Sequence, residues 1–280
     1  MTTAMERQAS GTITLTITIP WAKVAETKES VILNLTRELE LPGFRKGKVP
    51  RDVALKKLEQ SKIYEDVIQK LLPQAYSDAV KDHNLHPITL PKIEIVEAKE
   101  EKDWILRALT TEKPEIVLGD YKKAIREAKS AKQNKIWKPG EEEKKPEPMT
   151  IRELLDALLT VVTCQIPDIL IETEVNRSLA ELIDQTKKLG LSVDQYLSST
   201  GKTAESVRHE YAENSRRTLT LEFVIEKVAD KESIFVSDDD IDTAIKSAKT
   251  EEERTSLTKE RYYLASILRR QKTLDFLAAV

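Results

Sequence analysis

Ile13, Leu15, Ile17 and Ile19 alternate with threonines, and this period-two pattern of β-branched residues predicts a half-buried strand over 11–19. From Trp21 the spacing changes. Trp21, Val24 and Ala25, then Val31, Ile32, Leu35 and Leu39 recur at helical intervals. Pro20 suits the first turn of that helix, and Pro42 with Gly43 stops it. Helical spacing resumes at Val53, Leu55 and Leu58, continues through Ile63, Val67, Ile68, Leu71 and Leu72, and runs to about His83. Ile93 with Ile95, and then the apolar run from Trp104 to Leu109, predict two further strands joined by the charged turn 97–103. The first hundred-odd residues therefore read β-α-α-α-β-β, an α+β domain with an antiparallel sheet.

Residues 121–149 break the pattern. They are rich in Lys and Ala, then charged and punctuated by Pro139, Pro146 and Pro148, which predicts a linker or an exposed helix with a loop and no core of its own. Beyond Thr150 the chain reads as helix throughout. Thr150 with Glu153, Ser192 with Gln195, Ser237 with Asp240 and Thr250 with Glu253 each form a capping signature ahead of a helical stretch. Pro167 and Asp168 open a helix that Gly190 closes, and a longer one runs from about Thr203 to Asp230. The last, from Thr250, is expected to carry one apolar stripe through Leu257, Tyr262, Leu264, Ile267, Leu268, Leu274 and Leu277. The expected organisation is an α+β domain over 1–120, a charged linker over 121–149 and an all-α domain over 150–280.

Composition narrows the function. Of 280 residues, 40% are apolar and 33% charged, enough for a core but leaner than average. A net charge of −3 argues against a globally cationic nucleic-acid binder, so any affinity for polyanions must be local. A lone cysteine, Cys164, makes neither an intrachain disulfide nor a Cys-rich zinc site. No basic segment followed by an apolar run marks an export signal, and no stretch approaches the roughly 18 apolar residues of a membrane helix. The expectation is a cytoplasmic protein that does not enter membranes.

The local exception is the turn from Pro42 through Gly43, Phe44, Arg45, Lys46, Gly47, Lys48 and Val49 to Pro50. Two glycines permit positive φ, and two prolines restrict themselves and the residues before them, so a loop joins two helices. Over 42–62 seven cations face Asp52 and Glu59, a local excess of +5. Phe44 beside cations at a loop tip suggests a docking finger, with the ring entering an apolar groove and the cations meeting phosphates or carboxylates. The alternative at this point is a solvated basic turn with Phe44 folded back onto its domain.

The run from Gly43 to Pro50 resembles the ribosome-binding signature of the bacterial trigger factors, matched at every position. Ile166, Pro167, Asp168, Ile169, Leu170 and Ile171, at the opening of a long helix, resemble the helical chaperone domain of the same family. The resemblance covers roughly 11–120 and 150–280. It implies that Gly43, Phe44, Arg45, Lys46, Gly47 and Lys48 form a ribosome-binding site on the large subunit near the tunnel exit, made with a ribosomal protein and ribosomal RNA. It further implies an ATP-independent chaperone whose other partners are nascent or unfolded polypeptides, with no cofactor. Dimerisation in the free state and the client-binding residues stay open. The family's FKBP-like prolyl isomerase domain would have to fit into about thirty residues here, too few to enclose a pocket, so no isomerase activity and no catalytic residue are expected.

Weaker signals carry other readings. Gly201, Lys202 and Thr203 mimic the end of a phosphate-binding loop, but its first glycine would fall on Tyr196, so a helix stop and start is expected. His83 and His86 lack further ligands, His209 stands alone, and Cys164 sits in an apolar run without a base; no metal site is expected. Two other functions remain in view: an isomerase with an unrecognised module, and a chaperone or assembly factor that works away from ribosomes.

Overall fold

The computed structural model describes residues 1–42, 44–45, 47, 49–133, 149–248 and 250–280. They divide into two compact units, one of residues 1–113 with 167–170 and the other of 114–166 with 171–280.

The first unit is built on a four-stranded sheet of β1 (Thr2–Arg7), β2 (Thr12–Ile19), β3 (Lys92–Glu97) and β4 (Trp104–Thr111). The order is β1-β2-β4-β3 and every pairing is antiparallel, with Ile19 opposite Trp104 and Ile13 opposite Thr110. The alternation read from the sequence places Ile13, Leu15, Ile17 and Ile19 on the buried face, joined there by Trp104, Leu106 and Ala108. Three helices follow the expected order: α1 (Trp21–Glu38), α2 (Arg51–Leu55) and α3 (Gln60–Asp82). Val24, Val31 and Ile32 of α1 and Ile63, Val67, Leu71, Ala75 and Ala79 of α3 close the core over the sheet. β2 is an interior strand, and Thr12 and Thr14 on its polar face are buried as well. β1 was not expected. Its side chains are almost all exposed, so an edge strand held by backbone pairing leaves no hydrophobic alternation to read.

The second unit opens with a ribbon of β5 (Ile116–Val117) and β6 (Thr163–Cys164), also not expected because two residues a side are too few for a periodic signal. Its helices are α4 (Tyr121–Gln133), α5 (Ile151–Leu159), α6 (Asp168–Lys188), α7 (Val193–Thr200), α8 (Ala204–Lys231), α9 (Asp238–Lys246), α10 (Glu251–Lys259) and α11 (Arg261–Ala279). The four capping signatures are present as hydrogen-bonded boxes, and a fifth, Thr203 with Ser206, starts α8. The sequence concealed the fifth because serine replaces the usual Glu or Gln.

One segment takes the helical alternative but buries more than expected, and another differs from expectation. Over 121–133 the chain is a helix whose Tyr121 and Ile125 are buried with Leu118, Leu154, Leu158, Val224, Val228 and Leu277, while 134–148 lies outside the described residues. Tyr121 donates to Glu232 at 2.7 Å, and Lys122 lies 2.8 Å from the same carboxylate. Burial first, then the bond to Glu232, raises the Tyr121 phenol above its usual range. The single last helix is instead two, because the backbone leaves helical geometry at Glu260 (φ −103°, ψ 31°). The seven-residue step from Leu257 to Leu264 keeps helical register across that break, so the spacing alone does not mark it.

The α5 cap yields a test. Thr150 N–H donates to Glu153 at 2.8 Å, Glu153 N–H donates to Thr150 Oγ1 at 3.3 Å, and Lys132 of α4 reaches the same carboxylate at 2.6 Å. Lys132, and after it the Thr150 bonds, holds the Glu153 carboxyl down at about 2. A depressed folded value means that the stabilisation is present above the ordinary value of 4.5 and is lost as pH falls toward 2. Glu153→Gln keeps a capping acceptor but removes the charge. Its melting temperature is expected to fall below wild type at pH 7, with the gap narrowed by pH 3; an equal gap at both values would refute the assignment.

Candidate functional site

The loop between α1 and α2 is shaped by its ends. α1 stops at Leu39, which turns extended (φ −68°, ψ 128°) while its N–H still bonds Leu35 O at 3.0 Å. Phe44 N–H donates to Leu41 O at 3.1 Å, which folds the chain back. Gly47 has φ +76°, where a side chain would strain the backbone, and a Cβ there would stand 3.6 Å from Arg37 O. Pro50, extended at φ −61° and ψ 143°, then starts α2 by accepting from Val53 and Ala54 N–H. Val49 and Ala54 are buried, anchoring the returning limb.

Of the six residues expected to act together, Phe44, Arg45 and Gly47 are exposed, and Gly43, Lys46 and Lys48 lie outside the described residues. Phe44 is 41% exposed, so its ring is not folded into the core. The surrounding charge is partly compensated. Arg51 reaches Glu29 of α1 at 2.6 Å, and Lys62 reaches Asp66 at 3.1 Å. Neither carboxylate lies within the window that gave the +5 excess, so the sequence count overstated the free charge. One neighbour went unnoticed: Leu33, 53% exposed, lies one turn from Glu29 and one turn from Arg37 along α1. A single apolar residue on a helix carries no sequence signal of exposure.

The weaker candidates have structural roles. Gly201, at φ +65°, ends α7, and Thr203 caps α8 by accepting from Ser206 N–H at 3.1 Å, with Lys202 bonded to Glu210. His83 Nε2 lies 3.2 Å from Thr3 Oγ1, which ties the edge strand to the end of α3, and His86 N–H donates to Glu112 at 2.7 Å. Cys164 is half-buried in β6, and burial pushes its thiol up, away from the reactive thiolate. Asp240 caps α9 and pairs with Lys272 at 2.5 Å; that ammonium foremost, then the Ser237 bonds, brings its carboxyl to about 2. Among the described residues no group of three or more His, Cys, Asp or Glu could hold a metal, and no helix is long and apolar enough to cross a membrane.

Two family models match, described as bacterial trigger factor protein over residues 1–136 and bacterial trigger factor protein C-terminus over 139–279. Trigger factor of Staphylococcus epidermidis strain ATCC 12228 is 34% identical over 122 residues, which is 44% of this chain and 28% of that protein. Trigger factor of Staphylococcus aureus strain Newman matches to the same extent. The match thus spans little more than a quarter of these curated relatives. A solved structure described as "Promiscuous Substrate Recognition in Folding and Assembly Activities of the Trigger Factor Chaperone" superposes with a TM-score of 0.66 and 16% identity, covering 100% of this chain and 99% of that one. That likeness bears on the fold alone, which agrees with an α+β part carrying an antiparallel sheet and a mainly helical part. The two family models, which between them match nearly the whole chain, place it in the bacterial trigger factor family.

Proposed function

We propose that this protein is an ATP-independent cytoplasmic chaperone. It docks on the large ribosomal subunit beside the nascent-chain exit through its 42–50 loop and shields apolar segments of nascent or unfolded polypeptides. The observation that carries the reading is Phe44, exposed beside exposed Arg45 on a loop whose returning limb is pinned by Val49 and Ala54. A loop fixed at its base can present an aromatic to an apolar groove at small ordering cost, while Arg45, Lys46 and Lys48 meet phosphates of ribosomal RNA or carboxylates of a ribosomal protein. Anchoring raises the effective concentration of the helical unit around emerging chains, so each client contact can be weak and short-lived. Release needs no nucleotide, because a folding client buries the surface that was held. The matched regions, 1–136 and 139–279, follow each other closely, which supports a chaperone that works without an isomerase module between them.

Ribosome pelleting tests the docking. Wild type is expected to co-sediment with large subunits at 50 mM salt and to lose affinity tens-fold by 200 mM if about three phosphate contacts form. Phe44→Ala/Arg45→Ala/Lys46→Ala should remain in the supernatant at both. Equal pelleting of the variant would overturn the reading.

A further inference from the structure

The 42–50 loop returns into α2, and little within α2 fixes where that return lies. The helix is five residues long, begins at Pro50 without a side-chain cap, and buries only Ala54 of its own residues. A helix this short does not sustain itself in water. Val49 ahead of it is buried, but Leu55 at its end is 38% exposed. Its placement therefore leans on side chains that reach a neighbouring element.

Arg51, the first residue of α2, is such a side chain. Its guanidinium crosses to Glu29 of α1 at 2.6 Å. Glu29 stands on a fixed part of that helix, where Val31 and Ile32 enter the core and Ser30 accepts from Lys70 of α3 at 3.0 Å. The loop meets α1 a second time at Gly47, where a Cβ would stand 3.6 Å from Arg37 O. Along α1, Arg37 and Glu29 lie about 12 Å apart. The four residues from Gly47 to Arg51 span at most about 14 Å. Closing the pair therefore draws the returning limb back along α1, and Gly47 keeps little freedom to swing away with the tip at Phe44 and Arg45.

We propose that Glu29 is a positioning residue for the 42–50 loop: through Arg51 it straps α2 to α1 and so sets where Phe44 and Arg45 are presented. The assignment rests on the docking reading above and adds to it a residue of α1 that lies outside the loop. The two side chains are 57% and 58% exposed, so the pair adds little to the stability of the fold. It acts instead on the fraction of molecules whose loop is already in place, and apparent affinity scales with that fraction. Losing a surface pair of this kind should weaken docking by about two- to five-fold. The sign is diagnostic. Glu29 is a negative charge beside a surface proposed to meet phosphates, so Coulomb attraction alone predicts tighter binding by Glu29→Gln. Positioning predicts weaker binding.

The test uses the full chain at 50 mM salt. Glu29→Gln should melt within a degree or two of wild type, since both partners are in water. The amides of Val53 and Ala54, which bond Pro50 O, should exchange about two- to five-fold faster in this variant. Its affinity in ribosome pelleting should fall by a similar factor. Glu29→Arg/Arg51→Glu has the wild-type net charge and re-forms the pair with its ends reversed, so the slow exchange should return. Unchanged exchange in Glu29→Gln, or no recovery in the reversed pair, would show that there is no strap. Faster exchange with equal or tighter pelleting would show that the strap does not position the loop for docking. If wild type itself stays in the supernatant, the docking reading fails instead, and the exchange comparison still decides whether Glu29 holds α2.

Discussion

Trp104→Ala is expected to destabilise the first unit by about 3–5 kcal/mol, the usual range for emptying a large aromatic site in a close-packed core. The side chain is fully buried in β4, and its indole N–H donates to Lys99 O at 3.1 Å. Its ring meets Tyr64 of α3 edge-on, with centroids 5.1 Å apart. Removal therefore opens a cavity, strips an aromatic partner and leaves a carbonyl without its donor. Trp104→Phe keeps most of the volume and loses the hydrogen bond, so its cost should stay near about 1–2 kcal/mol. Hydrogen exchange of β2 and β4 amides reports the difference. The alanine variant should lose about two to four decades of protection, since 1.4 kcal/mol corresponds to one decade. A cost below about 1 kcal/mol would mean that the site collapses around the gap and that the sheet does not depend on this residue. The docking proposed for the 42–50 loop would depend on the same scaffold, because α1 and α3 pack on the face that Trp104 fills. Pelleting with ribosomes should then track the folded fraction of the variant.

Legibility followed the strength of each residue's periodic surroundings. Ile13 to Ile19 could be placed because a central strand imposes alternation on every position, and the four capping boxes because a hydroxyl and an acceptor three residues apart meet only at a helix start. Thr2–Arg7 pairs through its backbone and buries almost nothing, so its composition is unconstrained. The loop proposed to dock was legible as a chemical motif in Phe44, Arg45 and Lys46. What the motif omitted was geometry: Glu29 lies far from Arg51 in sequence yet bonds it, and Leu33 is a helical leucine like any other until its exposure is known. Tyr262 and Ile267 show the converse error. Their spacing fits a buried stripe, but both are exposed, and a pattern of types does not say which side of a helix has a neighbour.

Ile125→Ala decides whether residues 121–133 belong to the helical unit or merely connect it. Composition points to a connector: over α4, Lys122, Lys123, Arg126, Lys129 and Lys132 outnumber Glu127, and a segment so charged has little to bury. The structure sorts these residues by face. Lys123, Arg126, Glu127 and Ser130 are exposed, whereas Tyr121 and Ile125, one turn apart, are buried against Leu154 and Leu158 of α5 and Val224 and Val228 of α8. Two buried residues among the twelve of α4 whose side chains are described barely move an average, but each sits in a filled site. If α4 is part of that core, Ile125→Ala should cost about 2–4 kcal/mol and Ile125→Val about 0.5–1.5, because deleted methyl groups leave volume that neighbours refill only in part. Lys123→Ala, on the outer face, should stay within about 0.5 kcal/mol and serves as the control. Exchange protection of α5 and α8 amides should fall in the order Ile125→Ala, Ile125→Val, Lys123→Ala. A connector predicts three indistinguishable variants, and that outcome would leave the helical unit without its first helix. The graded outcome would instead tie the presentation of α8 and α11, and with them the groove between these helices, to a segment whose sequence resembles a tether.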